Sequence, residues 1–223
     1  MLNKKLVLGA ALAAVFSSSA FAETQSAYVS GQLGMGWQHI KDFSQTTEVE
    51  GVAVKNTLTS KDTKGLAGRI AVGYNLNENL ALELGGVMFS NAKWDRKVVF
   101  PDPAFSITGE QKFSTYAIDL LAKGSVPVND EFSVYGKAGV AYVHHKWENT
   151  ETLVTPNLTE TSTKETTTHS YRPELAIGAA YKVDENLAVD LSFARIFGQG
   201  ELGDEKYTPN LDLLAVGLTY SFS

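Results

Sequence analysis

YAIDLLAKGSVPVNDEFSVYGKAGVAYVHH, from Tyr116 to His145, decides the fold. Ile118, Leu120, Ala122, Gly124, Val126 and Val128 share one parity of an extended chain, while Asp119, Leu121, Lys123 and Ser125 occupy the other. After Pro127-Val128-Asn129-Asp130-Glu131 the alternation resumes. Phe132, Val134, Gly136, Ala138, Val140 and Tyr142 now oppose Ser133, Tyr135, Lys137, Gly139, Ala141 and Val143. Strict alternation on both sides of a Pro/Asn/Asp turn predicts an antiparallel hairpin with one apolar face. Each arm holds about ten residues or more, the length a tilted strand needs to cross a bilayer.

The same pattern extends in both directions. Before the hairpin, Val29, Leu33, Met35 and Trp37 alternate with Ser30, Gln32, Gly34 and Gly36. Leu66, Ile70, Val72 and Tyr74 alternate with Ala67, Arg69, Ala71 and Gly73, and Leu80, Leu82, Leu84 and Met88 with Ala81, Glu83, Gly85, Val87 and Phe89. After it, Tyr171, Leu175, Ile177 and Tyr181 face away from Arg172, Glu174, Gly178 and Lys182. Leu187, Val189, Leu191 and Phe193 oppose Asp190 and Ser192, and Leu214, Val216, Leu218, Tyr220 and Phe222 oppose Ala215, Gly217 and Thr219. This gives eight strands joined by three tight turns and four longer polar loops: His39 to Lys64, Asn91 to Lys112, about Lys146 to the Thr-rich end at Ser170, and Gly198 to Asn210. Threonine's β-propensity allows the third loop to extend its hairpin.

The parity of the charges decides between a soluble sandwich and a membrane barrel. Arg69, Glu83, Asp119, Lys123, Lys137, Arg172, Glu174, Lys182 and Asp190 all fall on the face that carries Ala, Gly and Ser. A soluble sheet would turn its Leu/Val/Ile face to its own core; here the charged face is the one with small neighbours, as in a narrow lumen. Aromatics on the apolar face cluster near strand ends. Trp37, Tyr116, Tyr142, Tyr171 and Phe193 lie toward the loops, and Tyr74, Phe132, Tyr181, Tyr220 and Phe222 toward the turns, as two girdles. The expected fold is all-β: an eight-stranded antiparallel up-and-down transmembrane β-barrel, with short periplasmic turns, four longer extracellular loops, and both mature termini periplasmic.

Residues 1–22 read as a signal peptide, with Lys4-Lys5, an apolar run from Leu6 to Phe16, and the small-x-small site Ala20-Phe21-Ala22. Residues 23–223 then form the barrel domain of the bacterial outer membrane. There is no cysteine and the net charge is −6, so disulfide chemistry is absent and no basic stripe for nucleic acid is expected. Ions enclosed in a small lumen need partners, which predicts a polar network among the nine charged residues, Arg69, Glu83, Lys123, Lys137 and Glu174 foremost. The alternative is a narrow ion or solute path lined by them. His144 and His145 at one rim, and His169 with Ser170 at another, read as rim residues rather than parts of a catalytic triad; no enzyme is expected. Neither His39 with Asp42 nor Asp102 with Glu110 matches a metal-site spacing, so neither metal nor cofactor is expected.

Three stretches carry a resemblance: GRIAVGYNLNENLALELGG (68–86), AIDLLAKGSVPVNDEFSVYGKAGVAY (117–142) and PELAIGAAYKVDENLAVDLSF (173–193). Together they resemble the transmembrane domain of the outer membrane protein A family, over nearly all of the chain after Ala22. The resemblance implies a barrel that anchors and organises the outer membrane, with loops available for adhesion, and a lumenal salt-bridge network at the positions of Arg69, Glu83, Lys123 and Lys137. Larger members continue into a peptidoglycan-binding domain; no such domain follows the eighth strand here, so cell-wall tethering is not expected. The expected partners are outer-membrane lipid and lipopolysaccharide, barrel assembly machinery and periplasmic chaperones, and host or surface ligands at the loops. A lipid-modifying embedded enzyme is the remote alternative.

Overall fold

The computed structural model describes residues 26–39, 45–49, 52–99, 106–155, 158–200 and 208–222. The expected signal peptide, residues 1–22, lies outside these. Eleven strands form one antiparallel sheet: β1 (Ala27–His39), β2 (Gln45–Val49), β3 (Val52–Asp62), β4 (Lys64–Asn75), β5 (Leu80–Phe89), β6 (Ala92–Val99), β7 (Ser106–Pro127), β8 (Phe132–Thr155), β9 (Leu158–Lys182), β10 (Leu187–Ile196) and β11 (Asn210–Ser221). β1 pairs with both β4 and β11, and β7 with both β5 and β8, so β1-β4-β5-β7-β8-β9-β10-β11 close into a barrel of eight strands. Closure removes the unpaired edges that hydrocarbon cannot satisfy.

The additional strands show that the first two long loops carry strands of their own, and that the third extends its hairpin as threonine's β-propensity allows. β3 runs into β4 with a break at Thr63, and β5 into β6 with one at Ser90-Asn91, while β7, β8 and β9 simply continue. β2 pairs with β3, β3 with β6, β6 with β7 and β8 with β9, forming a curved extension at the loop end of the barrel. Above the barrel, hydrophobic alternation fades because the outward row turns to Lys, Glu and Thr, while the inner row buries only single apolar residues such as Ala92 and Phe113 among polar ones. The Thr-rich pairs that remain, such as Thr150 with Thr163 and Thr152 with Thr161, still favour extended backbone.

The tight turns have local causes. Asn77 Oδ1 accepts hydrogen bonds from the backbone N–H of Asn79 and Leu80, and Asn129 Oδ1 from those of Glu131 and Phe132. At the third turn Asp184 Oδ1 accepts from the N–H of Glu185. Short Asx side chains thus replace ladder partners where the chain reverses.

Burial follows the alternation inside out. Ile70 is 63% exposed while its neighbour Arg69 is 4% exposed. Leu33, Leu66, Leu84, Leu120, Ile177, Val216 and Leu218 are likewise exposed, and all ten girdle aromatics lie on this outward parity. Glycines make room inside: a Cβ on Gly73 would overlap the Tyr28 ring, and one on Gly85 would meet the Arg69 guanidinium and the Asp119 carboxylate.

Candidate functional site: the lumen and its rims

The middle of the lumen holds an ion cluster centred on Glu83. Its Oε2 accepts from Lys137 Nζ at 2.7 Å and Arg69 Nη1 at 3.1 Å, and its Oε1 accepts from the Tyr28 hydroxyl at 2.7 Å. Arg69 also grips Asp119 with both arms, Nη2 to Oδ1 at 2.6 Å and Nε to Oδ2 at 3.2 Å. Lys123 Nζ stands 3.9 Å from Glu83 and lies over the rings of Tyr28 and Tyr135, 5.1 and 4.7 Å from their centroids. Glu174 is buried close to Asp119, Arg69 and Lys137. These six groups come from β4, β5, β7, β8 and β9, so the cluster ties five strands across the bore.

The remaining expected lumenal charges sit elsewhere. Asp190 lies toward the turn end, where its Oδ1 accepts from Gln32 Nε2 at 2.5 Å and the Tyr135 hydroxyl at 3.0 Å. Arg172 lies toward the loop end and donates from Nη1 to Gln199 Oε1. Lys182 is exposed at the end of β9, because the lumen opens there and nothing covers that position of the inward row; it is outside the contacts of the cluster.

Below the ion cluster, toward the turns, is a cavity of about 170 Å³ lined by Tyr28, Ser30, Lys123, Tyr135 and Asp190 among others. Above it, the lumen is apolar. Ala67, Val87, Phe89, Ala117, Ala141, Val143, Ile196, Leu211, Leu213 and Ala215 pack as one buried cluster. Sequence reasoning missed this layer, since its large residues are scattered singly among Ala, Gly and Ser on the inward parity. A polar chain follows: Gln38 Nε2 donates to the Ser90 carbonyl at 2.9 Å, Thr115 Oγ1 donates to Gln38 Oε1 at 3.0 Å, and His145 Nδ1 lies 2.9 Å from Thr115 Oγ1. Thr115 has one proton, which it gives to Gln38, so Nδ1–H of His145 donates to Thr115. At this end Thr208 is buried and hydrogen-bonded to Ser170 at 2.9 Å.

The rim residues separate by face. Ser170 turns inward to Thr208 whereas His169 turns outward to His144, so they form no nucleophile and base pair. Outside, Asp212 takes a bidentate grip from Arg195, with both contacts at 2.6 Å, and a bond from His39 Nε2 at 2.7 Å. Burial opposes ionisation of Asp212, but the hydrogen bonds from Arg195 and His39 outweigh it and hold the carboxyl below its ordinary value. Of the other spacings considered, Asp42 and Asp102 lie outside the described residues.

A family model described as the OmpA-like transmembrane domain matches residues 22–223. The chain belongs to this family. A protein of Coxiella burnetii (strain RSA 493 / Nine Mile phase I), itself described only as uncharacterized, is 34% identical over 247 aligned positions, covering 98% of this chain and 99% of its own length. Among solved structures, Neisserial surface protein A (NspA) is similar with a TM-score of 0.49 and 14% identity, covering 90% of this chain and 100% of that one. The N-terminal β-barrel domain of Pseudomonas aeruginosa OprF gives 0.44 and 13%, with the same coverage. Membership, with the closed barrel and its apolar exterior, makes this an outer-membrane β-barrel of a bacterium in a lipid and lipopolysaccharide environment.

Proposed function

We propose that the chain is a structural barrel of the outer membrane, closed along its axis, whose functional surface is the sheet extension at its loop end. The observation that carries the reading is two seals in series: the Glu83 ion cluster and, above it, the packed layer of Phe89, Val143, Ile196, Leu211 and Leu213. An ion entering from the turn end would have to displace bonded charges and then cross an apolar layer, both costly. In this reading residues 1–22 direct export, the short turns and both mature ends face the periplasm, and the extension stands outside the cell as an adhesive or host-facing surface. Barrel assembly machinery and periplasmic chaperones would deliver the chain.

A narrow channel is the second reading, favoured by the 170 Å³ cavity at the turn end. Single-channel recording in planar bilayers, on protein whose closed barrel is verified by a heat-dependent gel shift, separates the two. Silence is expected; reproducible openings that change size in a Lys123→Met variant would establish the channel instead. For the surface role, deleting Asn149–Lys164 and closing the hairpin with a short turn should keep the gel shift and abolish attachment of the source cells to surfaces. Attachment unchanged would remove that hairpin from the adhesive role.

A further inference from the structure

We propose that His144 and His169 form a bidentate site for a divalent transition-metal ion that clamps β8 to β9 where their hairpin leaves the barrel. The two residues are direct cross-strand partners, 25 positions apart in sequence, and no spacing motif would join them. Their Nδ1 atoms face each other at 3.0 Å on the exposed outward face. Two imidazole nitrogens bound at about 2.0–2.1 Å to one ion, at angles between square-planar and tetrahedral, lie roughly 2.9–3.4 Å apart. The pair therefore already holds the separation that chelation requires.

The surroundings fix the rings. His144 stacks on Tyr116 with centroids 4.4 Å apart, and His169 stacks on Tyr142 at 5.7 Å with planes 6° apart. Held between two tyrosines, the imidazoles lose little freedom on binding a metal. The nearby cation Lys146 is engaged by Glu165 at 2.8 Å, which offsets its repulsion of an approaching ion. Among the described residues no third His, Cys, Asp or Glu joins the group, so water completes the coordination and the site stays open to an outside ligand. Imidazole donors select zinc, copper(II) or nickel over the hard ions magnesium and calcium.

The test titrates full-length refolded protein with Cu²⁺ and Zn²⁺ in detergent, by calorimetry and by copper electron paramagnetic resonance. One ion per chain is expected, with a copper spectrum showing coupling to two imidazole nitrogens and a raised thermal midpoint that chelator reverses. His144→Gln and His169→Gln should each weaken binding at least as much as the roughly 10- to 100-fold cost of losing an outer partner of a metal ligand. Both keep a polar side chain on an exposed face, and the heat-dependent gel shift reports their folding. His39→Gln should leave the affinity unchanged, and Mg²⁺ should not compete. Equal affinity in the wild-type protein and both variants, or a copper spectrum without two nitrogens, overturns the proposal.

Discussion

Replacing Glu83 with alanine removes the carboxylate that three donors share, and the consequence can be worked from the geometry. Lys137 loses its 2.7 Å partner while remaining buried, Arg69 keeps only Asp119, and the Tyr28 hydroxyl loses its acceptor. Leaving one charge of a buried pair uncompensated costs about 3–5 kcal/mol. For a domain of about 200 residues each kcal/mol moves the thermal midpoint by about 2–4 °C, so E83A should melt roughly 6–20 °C lower. Removing both charges is a different perturbation. Glu83→Gln combined with Lys137→Met no longer strands the Lys137 ammonium, although Lys123 still loses its carboxylate at 3.9 Å, and it should recover at least half of what Glu83→Gln alone loses.

Urea unfolding in lipid vesicles, followed by tryptophan fluorescence and the gel shift, measures these three variants and the single Lys137→Met variant, which completes the cycle, against the wild type. An interaction energy within roughly 0.5 kcal/mol of zero would refute the claim that Glu83 and Lys137 act as a pair, since contacting residues couple by more than that. Conductance supplies an independent readout. Opening the ion cluster enlarges the turn-end cavity but leaves Phe89, Val143 and Leu213 in place, so E83A should be less stable and still silent. Steady conductance in E83A would show that the apolar layer does not seal.

Two further perturbations act on single contacts. Gly73→Ala puts a methyl group into the space of the Tyr28 ring and should cost about 1–3 kcal/mol; the same change in a Tyr28→Ala background should cost clearly less, and an equal cost in both would remove the ring as the cause. Asp212 has a lowered folded pKa, so its pairing adds stability at pH above the ordinary Asp value of 3.8, and that stability is lost as pH falls through the lower folded value. With Arg195 39% exposed, Asp212→Asn should cost on the order of 1 kcal/mol at neutral pH, and the gap from wild type should shrink once pH drops below about 4. A gap that grows on acidification would contradict the assignment.

The barrel was legible because an alternating pattern survives in every strand that touches lipid. Ile70 beside Arg69 and Leu84 beside Glu83 need no register to show which side is inside. The inward parity of Arg69, Glu83, Asp119, Lys123, Lys137 and Glu174 is legible for the same reason, but which of the nine expected charges meet is not: Asp190, Arg172 and Lys182 lie apart from the cluster. Arg69 meets Asp119 only because β4, β5 and β7 lie side by side, with Arg69 opposite Val87 and Asp119 opposite Gly85. The strands above the barrel were illegible for the opposite reason: no lipid meets their outward face, so Lys146, Glu148 and Thr150 alternate with a row in which the large apolar Trp147 is followed by Asn149 and Glu151. The facing of His144 and His169 was hidden in the register of a hairpin whose tip the sequence left as a loop.

Strand length and side-chain chemistry together locate the membrane boundary. β8 holds 24 residues and β9 holds 25, against 10 in β10 and 12 in β11. A tilted crossing uses about 9–11 residues, so more than half of β8 and β9 extends past the hydrocarbon. The outward row of β8 shows where this happens: Val134, Val140 and Tyr142 are followed by His144, Lys146, Glu148 and Thr150. On β7 the change falls between Tyr116 and Ser114, and on β9 between Tyr171 and His169. Tyr142 and Tyr171 pair directly, and Tyr116 lies one outward step further along, opposite His144. An open sheet with Lys, Glu and Thr on its outward face cannot lie in lipid, where charges and free edges go unsatisfied. The extension therefore stands clear of the bilayer, and the His144–His169 pair sits at its edge, in the row of Tyr116 and one outward step past Tyr142 and Tyr171, where water and ions reach the strands.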